Sequence, residues 1–304
     1  MKYITKIPTG HEKSVFVVSV SGGKDSAALA AEMKRLAEDT GIEVRYVFAD
    51  TGWEAPETYE YLATMERVLG IVIDRVRSEE GGMVDIARHK AGFPHRRGRW
   101  CTEKLKVIPV GAYHDRVGEE LGTDTVSVVG IRAEESDDRA AMAEFEFDQK
   151  WDGYVWRPLL GWAVSDVLAA HHRVGLPVNP LYKRGHERVG CYPCIFEKKA
   201  GVKLIAEHSP ARIDEIDALE LEFTAERARR NASGEGDFAH PRATFFLSRG
   251  AVGARGEFPP TPIRDVALWS RTSRGGVQLR LIQESPDSGC FRWGMCEPPE
   301  KGDE

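Results

Sequence analysis

Short, almost purely apolar runs alternate with longer amphipathic ones through the first half of the chain. Val15-Phe16-Val17-Val18-Ser19-Val20 has the length and β-branched character of a strand buried on both faces. From Asp25 onward Ala, Leu and Met recur at helical spacing between charged residues, which predicts a helix ending near Gly41. Val44 to Ala49 predicts a second strand, Pro56 to Leu69 a helix with proline in its first turn, and Ile71 to Val76 a third strand. Lys106 to Gly122 predicts another helix and Thr125 to Val129 a fourth strand. Trp156 to Leu159 and a helix from about Ser165 to Val174 continue the pattern. This alternation predicts an α/β fold, a Rossmann-like parallel sheet with helices on both faces, whose polar loops gather at the carboxyl ends of the strands. Beyond Cys194 the texture changes to a charged helical stretch (about Lys198 to Arg230), then Gly-, Pro- and Arg-rich sequence and a Cys-containing tail. We therefore expect one domain over 1–196 and a smaller helical and irregular region over 197–304 that completes a cysteine site.

Composition sharpens this only locally. At 304 residues and 41% hydrophobic the chain has enough material for a large core and an appended smaller region. Its net charge of −6 does not announce a nucleic-acid binder. Two segments differ: 88–100, with Arg88, Lys90, Arg96, Arg97 and Arg99, and an arginine-rich region from Arg227 to Arg280. Each is either an anion-holding surface or an ordinary solvated basic one. There is no apolar h-region near the start and no run of transmembrane length, so a cytoplasmic protein without a membrane partner is expected. In that reducing compartment five cysteines read as metal ligands or reactive thiols before disulfides.

The first strand empties into Ser21-Gly22-Gly23-Lys24-Asp25-Ser26, at the start of a helix. Gly22 and Gly23 let the backbone approach an anion, the helix N-terminus attracts negative charge, Lys24 adds a full positive charge, and Ser21 and Ser26 supply hydroxyls. The spacing is not that of a Walker A loop. We read it as a surface loop. Asp50-Thr51-Gly52 ends the second strand, where it can meet the adenosine part of a nucleotide or its magnesium, or cap the next helix. Gly130-Ile131-Arg132 follows the fourth strand; Arg132 and Arg139 flank an acidic loop, as a phosphate or sulfate clamp or as surface ion pairs. The adjacent His171 and His172 read as helix surface. Cys191-Tyr192-Pro193-Cys194 is a CxxC, joined by Cys101, Cys290 and Cys296; four thiolates suit an iron-sulfur cluster or a structural zinc.

Taken in order, these motifs resemble the phosphoadenosine phosphosulfate reductase superfamily of adenine nucleotide α hydrolases, and the loop resembles that of the N-type ATP pyrophosphatases. The resemblance rests on Ser21 to Ser26, Ala49 to Trp53 with Pro56-Glu57, Arg99-Trp100-Cys101 with Lys106 to Pro109, and Gly130 to Arg132. Glu135-Ser136 with Arg139 and Asn179 to Tyr182 ahead of Gly190 to Cys194 complete it. It implies ATP with Mg2+ as ligand, nucleotide binding by Ser21, Gly22, Gly23, Lys24, Asp25, Ser26, Asp50, Thr51, Gly130 and Arg132, and catalysis by Lys24 and Asp25. Arg96, Arg97, Arg99 and Arg139 become the candidate anion or acceptor contacts. Iron-sulfur adenylylsulfate reductases carry Cys-Cys where this chain has Cys101-Thr102, so one ligand of that pattern is missing and Cys290 or Cys296 could replace it. We place Cys101, Cys191, Cys194 and Cys290 on the cluster, of 4Fe-4S type with zinc as the alternative, and Cys296 as the reactive thiol; exchanging Cys290 with Cys296, or leaving Cys101 out, fits the spacing nearly as well. The intact loop together with the cysteines resembles most closely the ATP pyrophosphatases of DNA phosphorothioation. That implies adenylation of a DNA or RNA acceptor and a sulfur donor such as a cysteine desulfurase. A sulfonucleotide reductase releasing sulfite, and a nucleotide-sensing or scaffold subunit, are the alternatives.

Overall fold

The computed structural model describes residues 2–96, 98–149, 151–238, 240–246 and 260–273. In chain order come β1 (Val15–Val20), α1 (Lys24–Thr40), β2 (Val44–Ala49), α2 (Pro56–Leu69), β3 (Ile73–Val76) and α3 (Met83–Lys90). After them, α4 (Trp100–Thr102) and a π-helical stretch (Glu103–Val107) lead into α5 (Ile108–Leu121), β4 (Thr125–Val128), α6 (Asp137–Ala140), β5 (Phe145–Asp148) and β6 (Gly153–Trp156). Last come α7 (Val164–Arg173), α8 (Pro180–Lys183), α9 (Lys199–His208), α10 (Pro210–Ser233) and α11 (Ile263–Ser270).

The described residues fall into two compact units, 2–79 with 104–192, and 80–103 with 193–273. The first contains one sheet of order β3-β2-β1-β4-β6-β5. All of its pairings are parallel except β5 with β6. The alternation of β1 explains why helices cover both faces. Phe16, Val18 and Val20 join one core with Leu29, Met33, Leu62, Met65 and Val167, from α1, α2 and α7. Val15 and Val17 join Val47 in a second core closed by Tyr113 and Val117 of α5. A strand buried on both sides has no polar face to spare, hence the unbroken apolar run. The antiparallel edge strand β5 is an addition to the all-parallel expectation. Its sequence, Phe-Glu-Phe-Asp, alternates as a half-exposed strand does and carries no parallel-sheet signature.

The second unit gathers α3 and the loop after it with α9, α10 and α11. Residues 80–103, which the sequence reading kept within the first domain, belong here for a packing reason. Phe93 lies 4.9 Å from Phe223 and 5.0 Å from Phe245, centroid to centroid. Arg227 donates to the Ala91 carbonyl at 2.6 Å, Arg230 to the His89 carbonyl at 3.0 Å, and Arg88 pairs with Glu222 at 2.8 Å. Among the described residues no helix is long and apolar enough to cross a membrane.

Candidate functional site

Strand order reverses between β1 and β4, and the loops leaving the carboxyl ends of these neighbours meet there. Both loops are the ones the motifs marked. After β1, Gly22 has φ +72°, and a Cβ there would sit 2.7 Å from Thr58 Cγ2, so the turn and its close approach to α2 both require glycine. Gly23 stands at the N-cap of α1 and has no side chain to offer the first-turn amides. Instead the Lys24 N–H donates to the Tyr182 hydroxyl at 3.2 Å, and Asn179 Nδ2 donates to the Gly22 carbonyl at 3.1 Å. Ser26 Oγ ties the turn together: it accepts from the Ser21 N–H at 3.1 Å and donates to the Gly23 carbonyl at 3.1 Å. After β4, a Cβ on Gly130 would lie 3.1 Å from the Asp25 carbonyl carbon, so the two loops touch through backbone.

The loop is not the surface loop the sequence suggests. Lys24 is only 4% exposed and Arg132 only 2%. Asp25 bridges them, with Oδ2 2.7 Å from Lys24 Nζ and Oδ1 2.6 Å from Arg132 Nε. Burial works against the Arg132 charge, but Asp25 and Glu134, 2.7 Å from Nη1, outweigh it and hold the guanidinium above its ordinary pKa. Arg132 is therefore part of a buried network. Arg139, by contrast, forms an exposed ion pair with Glu135 one helical turn away.

Asp50 and Thr51 are held equally firmly. Asp50 accepts from Tyr59 Oη at 2.7 Å, the Gly52 N–H at 3.0 Å and Arg77 Nε at 2.8 Å. Burial raises its pKa, yet these donors together bring it below the usual carboxylate value. Thr51 Oγ1 donates to Glu54 at 2.6 Å, and Tyr59 also reaches Glu54 at 3.2 Å. Glu54 in turn makes a backbone bridge to Cys191, and the Tyr192 N–H donates to the Trp53 carbonyl at 2.8 Å. The Val189 carbonyl borders Gly23, 3.8 Å from where its Cβ would stand. The structure thus brings the first cysteine of the CxxC to the loop end of the sheet.

His171 departs from its reading as helix surface. It is 3% exposed, with Nε2 2.8 Å from the Lys24 carbonyl and Nδ1 3.2 Å from the Leu176 carbonyl. Its burial lowers the imidazole pKa against those two carbonyls. His171, Tyr182, Asn179, Thr58 and Tyr59 are supports of the loops that residue chemistry alone did not single out. The Asn-Pro-Leu-Tyr run was a signal for two of them, since Asn179 also caps α8.

Cys101, Cys191 and Cys194 are half-buried; Cys191 belongs to the first unit, Cys101 and Cys194 to the second. Among the described residues no group of three or more His, Cys, Asp or Glu side chains is arranged around a metal position. Cys290, Cys296 and Arg97 lie outside the described residues. In the second unit Arg96 and Arg99 are exposed and lie over the Phe196 ring, 5.4 and 5.1 Å from its centroid. The described arginines of the other basic region are mostly spent internally. Arg227 donates to three carbonyls, Arg229 pairs with Glu226 and Glu235, Arg230 with Glu226, and Arg264 with Asp214 and Asp217.

Sheet order, helix-covered faces and a glycine loop at the reversal point define an α/β nucleotide-binding protein. Residues 15–197 match the phosphoadenosine phosphosulfate reductase domain, and the chain belongs to that family. It is similar to an uncharacterized 37.8 kDa protein of Escherichia phage 186, at 31% identity over 94% of this chain and 98% of that one. It is also similar to the adenosine 5'-phosphosulfate reductase of Geobacillus kaustophilus, at 31% identity over 50% of this chain and 62% of the reductase. Among solved structures, the phosphoadenylyl-sulfate reductase of Candida auris aligns with a TM-score of 0.43 and 17% identity, covering 58% of this chain and 81% of that one.

Proposed function

We propose that the chain is an ATP pyrophosphatase that cleaves between the α and β phosphates and transfers the adenylyl group to an acceptor destined to receive sulfur. The observation that carries this reading is the complete Ser21 to Ser26 loop, folded at the N-terminus of α1 with Lys24 and Arg132 gathered on Asp25. Glycines without side chains at a helix N-terminus, with Lys24 and Arg132 beside them, support a triphosphate as the ligand. Loop amides and the Lys24 ammonium stabilise the charge that develops on the departing pyrophosphate, while the acceptor oxygen attacks the α phosphorus. Arg132 keeps Asp25 turned toward Lys24, and Asp50, Tyr59 and Arg77 hold the neighbouring loop that would flank the nucleoside. Mg2+ travelling with ATP would offset phosphate charge.

For sulfur delivery we propose Cys101, Cys191, Cys194 and Cys290 as thiolate ligands, with Cys296 as the reactive thiol; the three described cysteines are not gathered around a metal position. Soft thiolates suit an iron-sulfur cluster, which supplies redox or sulfur-binding capacity when present. Iron and sulfide analysis of Cys191→Ser protein purified without oxygen tests the ligand set, and full metal content would remove it. A second reading, reduction of adenylylsulfate, is favoured by the reductase relatives, of which the Geobacillus kaustophilus enzyme is similar over 50% of this chain. The two readings separate on substrate. The first expects pyrophosphate from ATP, lost by about 100-fold or more in Lys24→Ala. Sulfite from adenylylsulfate, with no ATP consumed, supports the second and overturns the first.

A further inference from the structure

The basic segment ahead of Cys101 is built to present its cations. His95 and Gly98 exchange backbone hydrogen bonds, His95 N–H to the Gly98 carbonyl at 3.2 Å and Gly98 N–H to the His95 carbonyl at 3.0 Å, which closes a tight turn. A side chain at Gly98 would meet the exposed His95 ring at 2.8 Å and push it aside. Its base is anchored to α10 through Arg227 on the Ala91 carbonyl and Phe93 between Phe223 and Phe245. The exposed arginines beyond that base are of a different kind from those of α10. Neither Arg96 nor Arg99 has a carboxylate partner among the described residues; Arg99 donates to Thr102 Oγ1 at 3.3 Å, and both guanidiniums lie over Phe196.

In a chain of net charge −6, two uncompensated guanidiniums held over one aromatic ring form a local site for repeated negative charge. Beyond the one bond that Arg99 gives to Thr102, the two guanidiniums keep donors for phosphate oxygens, and the half-buried Phe196 ring keeps accessible surface for a base. We propose that Arg96, Arg99 and Phe196 form a docking platform for a single-stranded nucleic acid, which is the acceptor in the adenylyl transfer. The role as acceptor rests on the pyrophosphatase reading; the binding itself does not. A single strand is favoured over a duplex because the ring can engage only an unpaired, unstacked base.

The test is fluorescence anisotropy with a labelled mixed-sequence single-stranded DNA and the RNA of the same sequence, titrated over a range of salt without ATP. Each phosphate neutralised on a single strand adds about 0.7 to the slope of log affinity against log salt, so Arg96→Gln with Arg99→Gln should flatten it by about 1.4. The paired Lys replacements should keep the slope, which separates charge from misfolding. Phe196→Ala should weaken binding roughly 5-fold or more with the slope unchanged. Tighter binding of DNA or of RNA, in either order, identifies which strand docks. A wild-type slope in the glutamine pair with both strands overturns the platform, and so does binding to phosphatidylserine vesicles with none to either oligonucleotide. Because ATP is absent, this outcome is independent of whether the loop cleaves ATP.

Discussion

At the scale of single residues, Asp25 carries more weight than its place in a loop motif suggests. Its two oxygens are divided between Lys24 and Arg132, and both cations are almost wholly buried. Asp25→Ala leaves them facing each other without their shared counter-charge, so it should cost about 3 kcal/mol of stability as well as pyrophosphate release. Denaturant unfolding at an unchanged m-value measures this; a loss within about 0.5 kcal/mol, as for a surface position, would contradict the buried network. The turn and the helix start after β1 were legible in the sequence because glycine, lysine and serine at this spacing follow an apolar strand. The loop's burial was not, because the residues that cover it lie far away: Thr58 on α2, and Asn179 and Tyr182 about 157 positions downstream of Gly22 and Lys24. His171 was misread for the same reason, its partner carbonyl being 147 residues away.

At the scale of elements, β1 to β4 and their helices were readable because each obeys its own periodicity. The short edge pair β5 and β6, and the transfer of α3 to the second unit, depend on long-range packing that periodicity does not record. One contact in that second unit makes its own prediction. Glu220 on α10 is 4% exposed and accepts the Phe245 N–H at 2.8 Å and the Ile263 N–H, in the first turn of α11, at 2.9 Å. Burial pushes its carboxyl up to about 7, against the pull of those two donors. A carboxyl whose folded value exceeds its unfolded one binds its proton more tightly in the folded state. Its contribution is therefore full below about pH 4 and is lost as pH rises through 7. Between pH 5 and pH 8 the wild-type chain should lose roughly 2 to 3 kcal/mol more stability than Glu220→Gln, which cannot titrate. Equal losses in the two proteins, followed by chemical denaturation, would remove Glu220 as the source.

At the scale of the whole molecule, the matched domain over residues 15–197 takes in parts of both units: the loop after β1 lies in the first, and the basic turn, Cys101 and Cys194 lie in the second. The arginine-rich sequence beyond Arg227 shows why charge counted along a chain misleads: its described members are mostly consumed by Glu226, Glu235, Asp214, Asp217 and backbone carbonyls. The smaller cluster before Cys101 keeps two guanidiniums without carboxylate partners among the described residues, and the proposed acceptor site lies there. The proposed activity is cleavage of ATP between its α and β phosphates at the loop. The most direct measurement is the fate of ATP labelled in its α phosphate, incubated with the full chain, Mg2+ and a single-stranded oligonucleotide, with Lys24→Ala alongside. The account predicts label in AMP or on the oligonucleotide, one pyrophosphate released for each ATP consumed, and neither product above background in Lys24→Ala. Label in ADP with release of inorganic phosphate, or undiminished pyrophosphate from Lys24→Ala, would contradict it.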